Sequence, residues 1–233
     1  PQLRNFESKK FKELRKIYQD FSIEDAKAIK EIEKVTNHDV KAVEYFIKEK
    51  FDALKLSDHK EFIHFGLTSQ DINNTAIPLS IKDFIEEVYI PEINNVLDAI
   101  NTKCKELKNI TIIARTHGQP ASPTKLGKEF KVFWTRVTNQ LSTLKNIPNS
   151  AKFAGAVGNF NAHKVAYPNI DWKKFGKNFI ENELSLNYSF PTTQIEHYDS
   201  LAALFDNCRR INNILLDMSL DTVSYTHLRA HET

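Results

Sequence analysis

Cysteine, methionine and glycine are scarce in this 233-residue chain, and long apolar runs are missing altogether. Cys104 and Cys208 stand far apart and outside any Cys-x-x-Cys pair, which excludes a disulfide framework and a thiolate metal site; each reads as a small core residue. No stretch approaches the ~18 apolar residues of a membrane span, and Pro1-Gln2-Leu3-Arg4 opens no signal-peptide core, so membrane association is not expected and the cytoplasm is the expected location. Charge of one sign is also lacking. The net charge is +2 with basic and acidic residues interspersed, and no basic face points to nucleic acid. There is no Gly-rich phosphate loop, Gly-x-Ser-x-Gly elbow or dinucleotide fingerprint, and no metal-ligand spacing with acidic or cysteine partners, so no metal and no cofactor is called for. Met218 is the only methionine and no initiator precedes Pro1, so the chain reads as a fragment.

What the sequence does have is helical periodicity. Ile93, Leu97, Ile100, Cys104 and Leu107 alternate steps of four and three, and Ile81, Ile85 and Val88 carry the stripe upstream to Pro91. That proline predicts either one kinked helix or two in series. A second helix is expected from about Thr124 to Asn146, with Leu126, Phe130, Phe133, Val137, Leu141 and Leu144 on one side. A third should begin near Tyr198-Asp199 and carry Leu201, Leu204, Cys208, Ile211, Leu215 and Met218. Shorter helices are expected over Ile23 to Val35 and Val40 to Lys50. The fold class is therefore all-α, an elongated bundle of long helices, with short loops or a small hairpin between residues 153 and 191.

Polar segments interrupt this pattern, and four of the six glycines (Gly66, Gly118, Gly155 and Gly158) lie in them. Arg115-Thr116-His117-Gly118-Gln119-Pro120-Ala121 sets a histidine, the commonest general acid or base, where Gly118 and Pro120 impose a special backbone. Thr36-Asn37-His38-Asp39 lies between two helices and reads equally as a cap and as a site. The run from His64 to Asn73 contains Thr68-Ser69-Gln70-Asp71, a helix start whose hydroxyls suit an anion as well as a cap. Thr192-Thr193-Gln194-Ile195-Glu196 is either a contact segment or the turn before the third helix. His163 and His197 lie near these segments and are equally compatible with surface or core.

In order and approximate spacing, the segments Thr36 to Glu44, His64 to Asn74, Arg115 to Ala121, Gly155-Ala156-Val157-Gly158-Asn159 and Thr193 to Glu196 resemble the adenylosuccinate lyase family of the fumarase/aspartase superfamily, from about Phe21 to Asp221. The resemblance implies β-elimination of fumarate from adenylosuccinate, giving AMP, and from the succinyl-carboxamide ribotide of purine biosynthesis. It implies that His117 is the acid that protonates the leaving nitrogen, oriented by Thr116 and Gly118. Asn37, His38 and Asp39 would contact substrate, Thr68 and Ser69 would bind the succinyl carboxylate, and Gln194 would reach in from the start of the third helix. His64 and Asn159 would be neighbouring site residues. The implied partners are small succinyl-purine nucleotides and further copies of the chain in a homotetramer that shares its sites between subunits.

The chain departs from the family where the general base belongs: the pattern Ser-Ser-x-Met-Pro-x-Lys-x-Asn-Pro does not occur. The implied domains are 1–57, the remainder of an N-terminal helical domain; 58–223, an incomplete central bundle; and 224–233, a non-native tail in which His227 and His231 carry no functional weight. About half of a family member would then be present, inactive alone. Two other readings stay open: another lyase of the superfamily, such as argininosuccinate lyase, and a non-catalytic helical interaction module.

Overall fold

The computed structural model describes residues 6–230. Its element order is overwhelmingly helical, and the chain divides into two compact units.

The first unit comprises residues 6–75, Lys152–Phe179 and Phe190–Ile195. It opens with α1 (Ser8–Gln19), α2 (Ile23–Thr36) and α3 (Asp39–Ala53), the last two close to the sequence-predicted bounds. Ser22 starts α2 through a capping box, its hydroxyl accepting from the Asp25 amide and the Asp25 carboxylate accepting from the Ser22 amide, which satisfies two otherwise orphaned donors. A 3-10 turn (Ser57–Phe62) leads towards α4 (Ser69–Phe84), whose first residues belong to this unit. Two short helices, α7 (Asn161–Ala166) and α8 (Trp172–Asn178), complete it. Ala154, Phe160 and Trp172 form its apolar centre, with Phe65, Phe153, Tyr167 and Ile170 against them.

The second unit comprises Ala76–Ala151, Ile180–Ser189 and residues 196–230. The helical stripes meet here. Ile93 and Leu97 of α5 (Ile90–Glu106), Val137, Leu141 and Leu144 of α6 (Leu126–Lys145), and Ile211 and Ile214 of α9 (Asp199–Ala230) form one buried cluster. Burying an aliphatic side chain of this size contributes about 1.5–3 kcal/mol, so the cluster is what holds three helices together. Cys104 is buried and Cys208 half-buried, both as free thiols. Residues 224–230 of the tail continue the α9 backbone; 231–233, and with them His231, lie outside the described residues.

Both prolines of the α4–α5 run are accommodated locally. Between α4 and α5 lies a π-helical turn (Ile85–Tyr89), in which the Ile90 amide donates to the Ile85 carbonyl. Pro91 follows within the first turn of α5, where its missing N–H costs little, so the helices run in series through a π-bulge. Pro78, inside α4, leaves the Asn74 carbonyl without its i+4 donor, and the Lys152 amide takes that place at 3.1 Å.

The hairpin lies elsewhere than between residues 153 and 191. Strands β1 (Thr111–Thr116) and β2 (Gln119–Lys125) pair antiparallel, with a register shift between Ile113 and Arg115. The 153–191 stretch instead holds α7, α8, a π-helical turn at Phe179–Glu183, and β4 (Asn187–Tyr188), which pairs in parallel with β3 (Ser150–Ala151). Neither proline of β2, Pro120 or Pro123, can donate to a ladder, and only Ile112 of β1 is buried, so the hairpin has little alternating pattern.

Candidate functional site

In the first unit the order of construction starts with Asp71, which is fully buried. Thr68 precedes α4, and its amide donates to Asp71 Oδ2 at 2.9 Å, the return half of a capping box. The other oxygen, Oδ1, accepts from the amides of Ala154 (2.8 Å) and Gly155 (3.2 Å) and faces Lys152 Nζ at 2.8 Å. Lys152 is itself fully buried and also donates to the Gly155 carbonyl at 2.6 Å. One carboxylate thus fastens the Thr68-Ser69 helix start to the Gly155–Asn159 loop. A buried ion pair is stable only when its remaining hydrogen-bonding capacity is met, and here main-chain amides meet it.

Gln194 joins from a third segment, its Nε2 lying 3.3 Å from Thr68 Oγ1. Gly158 permits that approach: its φ is +80°, and a Cβ there would stand 2.1 Å from the Thr192 carbonyl oxygen. Asn159 is exposed beside this glycine. Thr68, Ser69, Gln194 and the 155–159 loop therefore form one partly open polar surface.

His64 lies a short turn upstream, with its Nδ1 3.6 Å from Glu44 Oε2. Glu44 of α3 is buried, and burial opposes its charge; hydrogen bonds from Lys41 and Lys48 outweigh that and hold its carboxyl below the usual carboxylate range. The Asn37-His38-Asp39 segment functions structurally as a double cap. Asn37 closes α2 at φ +49°, and His38 Nδ1 accepts from the Lys41 amide at 3.2 Å while standing 3.3 Å from Asp39 Oδ1. All three side chains are exposed, so the caps leave them available to solvent.

His163 belongs to the core. It is 1% exposed, in edge contact with Phe65 (ring centroids 5.5 Å) and 4.8 Å from the Trp172 ring. Burial pushes its pKa down, opposed by Asp71 and by a hydrogen bond to the Phe65 backbone. Gly66, at φ +66°, lies against this ring so closely that a Cβ would stand 2.7 Å from Cε1.

The second unit holds His117 and Thr116. His117 and Gly118 are the two residues between β1 and β2, with φ of +52° and +74°, the positive values that a two-residue hairpin turn requires. His117 is the unusual partner, because a non-glycine residue in this region is strained. Its side chain and that of Thr116 are exposed at the tip, where Arg115 Nη1 lies 3.4 Å from the Gly118 carbonyl oxygen. His197 is exposed, and Glu196 is buried with its Oε2 accepting from the Tyr198 amide at 2.6 Å.

The sequence marks Thr68 and Ser69 as candidate site residues but gives no site role to Asp71, Lys152 or Glu44. The Thr-x-x-Asp spacing was the available signal for Asp71. Lys152, charged in an apolar neighbourhood, gave none. Among the described residues no cluster of three or more His, Cys, Asp or Glu could hold a metal ion, and no helix is long and apolar enough to cross a membrane.

Comparison with known proteins follows the same lines. A family model described as Lyase matches residues 2–230. The adenylosuccinate lyase of Dictyostelium discoideum is 53% identical over 219 residues, covering 92% of this chain and 47% of that protein. That of Vibrio cholerae is 48% identical over 210 residues, covering 90% and 46%. The chain thus spans about half the length of the curated relatives it matches. Among solved structures, a fumarate lyase from Mesorhizobium sp. superposes with a TM-score of 0.76 at 18% identity, over 91% of this chain and 48% of that one, a likeness of fold alone.

Proposed function

The chain belongs to the Lyase family, and from that premise we propose that the protein it forms part of is an adenylosuccinate lyase, eliminating fumarate from succinyl-purine nucleotides. The observation that carries the reading is the polar surface around Thr68, Ser69 and Gln194, held together by a buried carboxylate and placed at the positive end of α4. The first amides of a sixteen-residue helix, with two hydroxyls beside them, suit a dicarboxylate, and no basic protein surface is needed to attract it.

In this reaction the succinyl carbon next to a carboxylate loses a proton, the electron pair forms the double bond of fumarate, and the bond from carbon to the purine nitrogen breaks. Thr68 and Ser69 would bind the carboxylate on which charge develops, and His117 would deliver a proton to the departing nitrogen. Asn37, His38 and Asp39 would contact the nucleotide side, His64 and Asn159 would be neighbouring site residues, and Thr116 would orient His117. The family's serine pattern for the base does not occur in this sequence, so the residue that removes the carbon-bound proton is not assigned to it.

The whole protein would act as a homotetramer in the cytoplasm, with sites shared between copies. Exposed Ile77, Phe84, Val88, Phe205, Leu216 and Leu220 of the second unit, all on helices, support association. The test is fumarate release by the full-length protein from adenylosuccinate. Turnover of argininosuccinate instead would place it with another lyase of the superfamily, and self-association without binding of either substrate would make it an interaction module.

A further inference from the structure

We infer that Asp71, beyond capping a helix, is the positioning residue of the dicarboxylate subsite, setting the Thr68-Ser69 hydroxyls and the Gly155–Asn159 loop in one fixed relation; the inference rests on the lyase reading above. Three features carry it. Asp71 bonds to both segments, through Oδ2 to the Thr68 amide and through Oδ1 to the amides of Ala154 and Gly155. It is fully buried, so it touches no substrate and can act only through what it holds. Lys152, equally buried, faces the carboxylate at 2.8 Å without using a group that faces solvent, and its second bond, to the Gly155 carbonyl, fastens the same loop again.

A cap alone would need only Oδ2. Gly155 lies at φ +78°, and a Cβ there would stand 3.3 Å from the Gly66 carbonyl oxygen, so the loop is drawn in against the segment that leads to Thr68. Rotation of the Asp71 carboxylate would move both halves of the subsite together. The consequence is selective: groups that recognise a dicarboxylate depend on Asp71, whereas those that recognise the nucleotide through the α2–α3 turn do not.

Replacing Asp71 alone would strand a buried lysine charge, so the informative variant is the double replacement Asp71→Asn with Lys152→Met, which removes both charges at once. In the full-length protein the expected result is that the inhibition constant of fumarate and the KM for adenylosuccinate rise about ten- to hundred-fold, while inhibition by AMP changes less than about two-fold. General structural damage would weaken both inhibitors alike. A folded double variant with unchanged fumarate inhibition overturns the inference, as does equal weakening of fumarate and AMP.

Where the double variant does not fold, hydrogen exchange on the unaltered protein decides. Added fumarate should slow exchange at Thr68, Ala154 and Gly155 together, and slowing at Thr68 alone overturns the inference. An unaltered protein that neither releases nor binds fumarate overturns the lyase reading itself, and the positioning role with it.

Discussion

In the first unit Asp71 and Lys152 are fully buried and bonded to each other and to main-chain groups, whereas in the second His117 stands exposed on a hairpin tip held chiefly by its own strand pairing. Both are polar groups outside the apolar stripes, yet one is built into the fold and the other is displayed by it. The difference separates two kinds of consequence. Disturbing a built group changes stability and the geometry of its neighbours; disturbing a displayed one removes chemistry and leaves the scaffold standing.

The largest expected effect falls on the displayed side. Replacing His117 by Ala in the full-length protein should lower the rate of fumarate release by about a hundred- to ten-thousand-fold, the usual worth of a positioned acid or base. Thermal stability should stay within about 0.5 kcal/mol, because the side chain is exposed. A large loss of stability would show that the tip is built in after all, and near-normal turnover would remove His117 from the acid role.

On the built side the sharpest probe is Gly66→Ala. The residue is at φ +66°, and the new methyl would enter the His163 ring, itself boxed in by Phe65, Phe160 and Trp172. Left-handed backbone costs about 1–2 kcal/mol for an L-residue and overpacking a further 1–3 kcal/mol, so a loss of about 3 kcal/mol is expected in urea unfolding. A loss below about 1 kcal/mol would mean that the aromatic box yields, and the first unit would be softer than its burial suggests.

These contrasts also explain what the sequence showed. The three long helices were legible because their stripes repeat every three to four residues and a continuous period has one interpretation. The helix start at Thr68-Ser69-Gln70-Asp71 was legible from its hydroxyls, whereas the reciprocal bond from the Thr68 amide to Asp71 was not. The hairpin was not legible: two prolines in β2 and a single buried residue in β1 remove the alternation by which strands are recognised. The His117 turn was marked by Gly118, but nothing in the sequence said that His117 itself sits at positive φ. Lys152 was invisible for another reason, since its charge is matched by a carboxylate distant in sequence, and only the fold brings the two together. The motif resemblance proposes Thr68, Ser69 and Gln194 as site residues; the structure adds what holds these side chains in place.

A pH effect of intermediate size separates the units further. His163 has a folded-state pKa below its ordinary value of 6.5, chiefly through burial. Above pH 6.5 both folded and unfolded chains carry it neutral; as pH falls through 6.5 the unfolded chain takes up the proton first, so stability is lost towards acid, down to the folded pKa. The loss is at most about 1.4 kcal/mol per pH unit. Urea titrations between pH 7.5 and 5.5 should show this slope, and His163→Phe should flatten it. His117 and His197 of the second unit are exposed, so a slope that survives His163→Phe would have to arise outside the aromatic box and would weaken the contrast.

The smallest effect is the control for the largest structural one. Gly118 shares the left-handed backbone of Gly66, with φ +74° against +66°, but a Cβ there meets nothing within 4 Å. Gly118→Ala should therefore cost only the backbone preference, about 1 kcal/mol, where Gly66→Ala also forces a ring to move. Measured side by side in urea, unequal losses would assign the excess at Gly66 to packing against His163. Equal losses would mean that φ alone sets both costs, and that the hairpin tip is as tightly specified as the buried clamp.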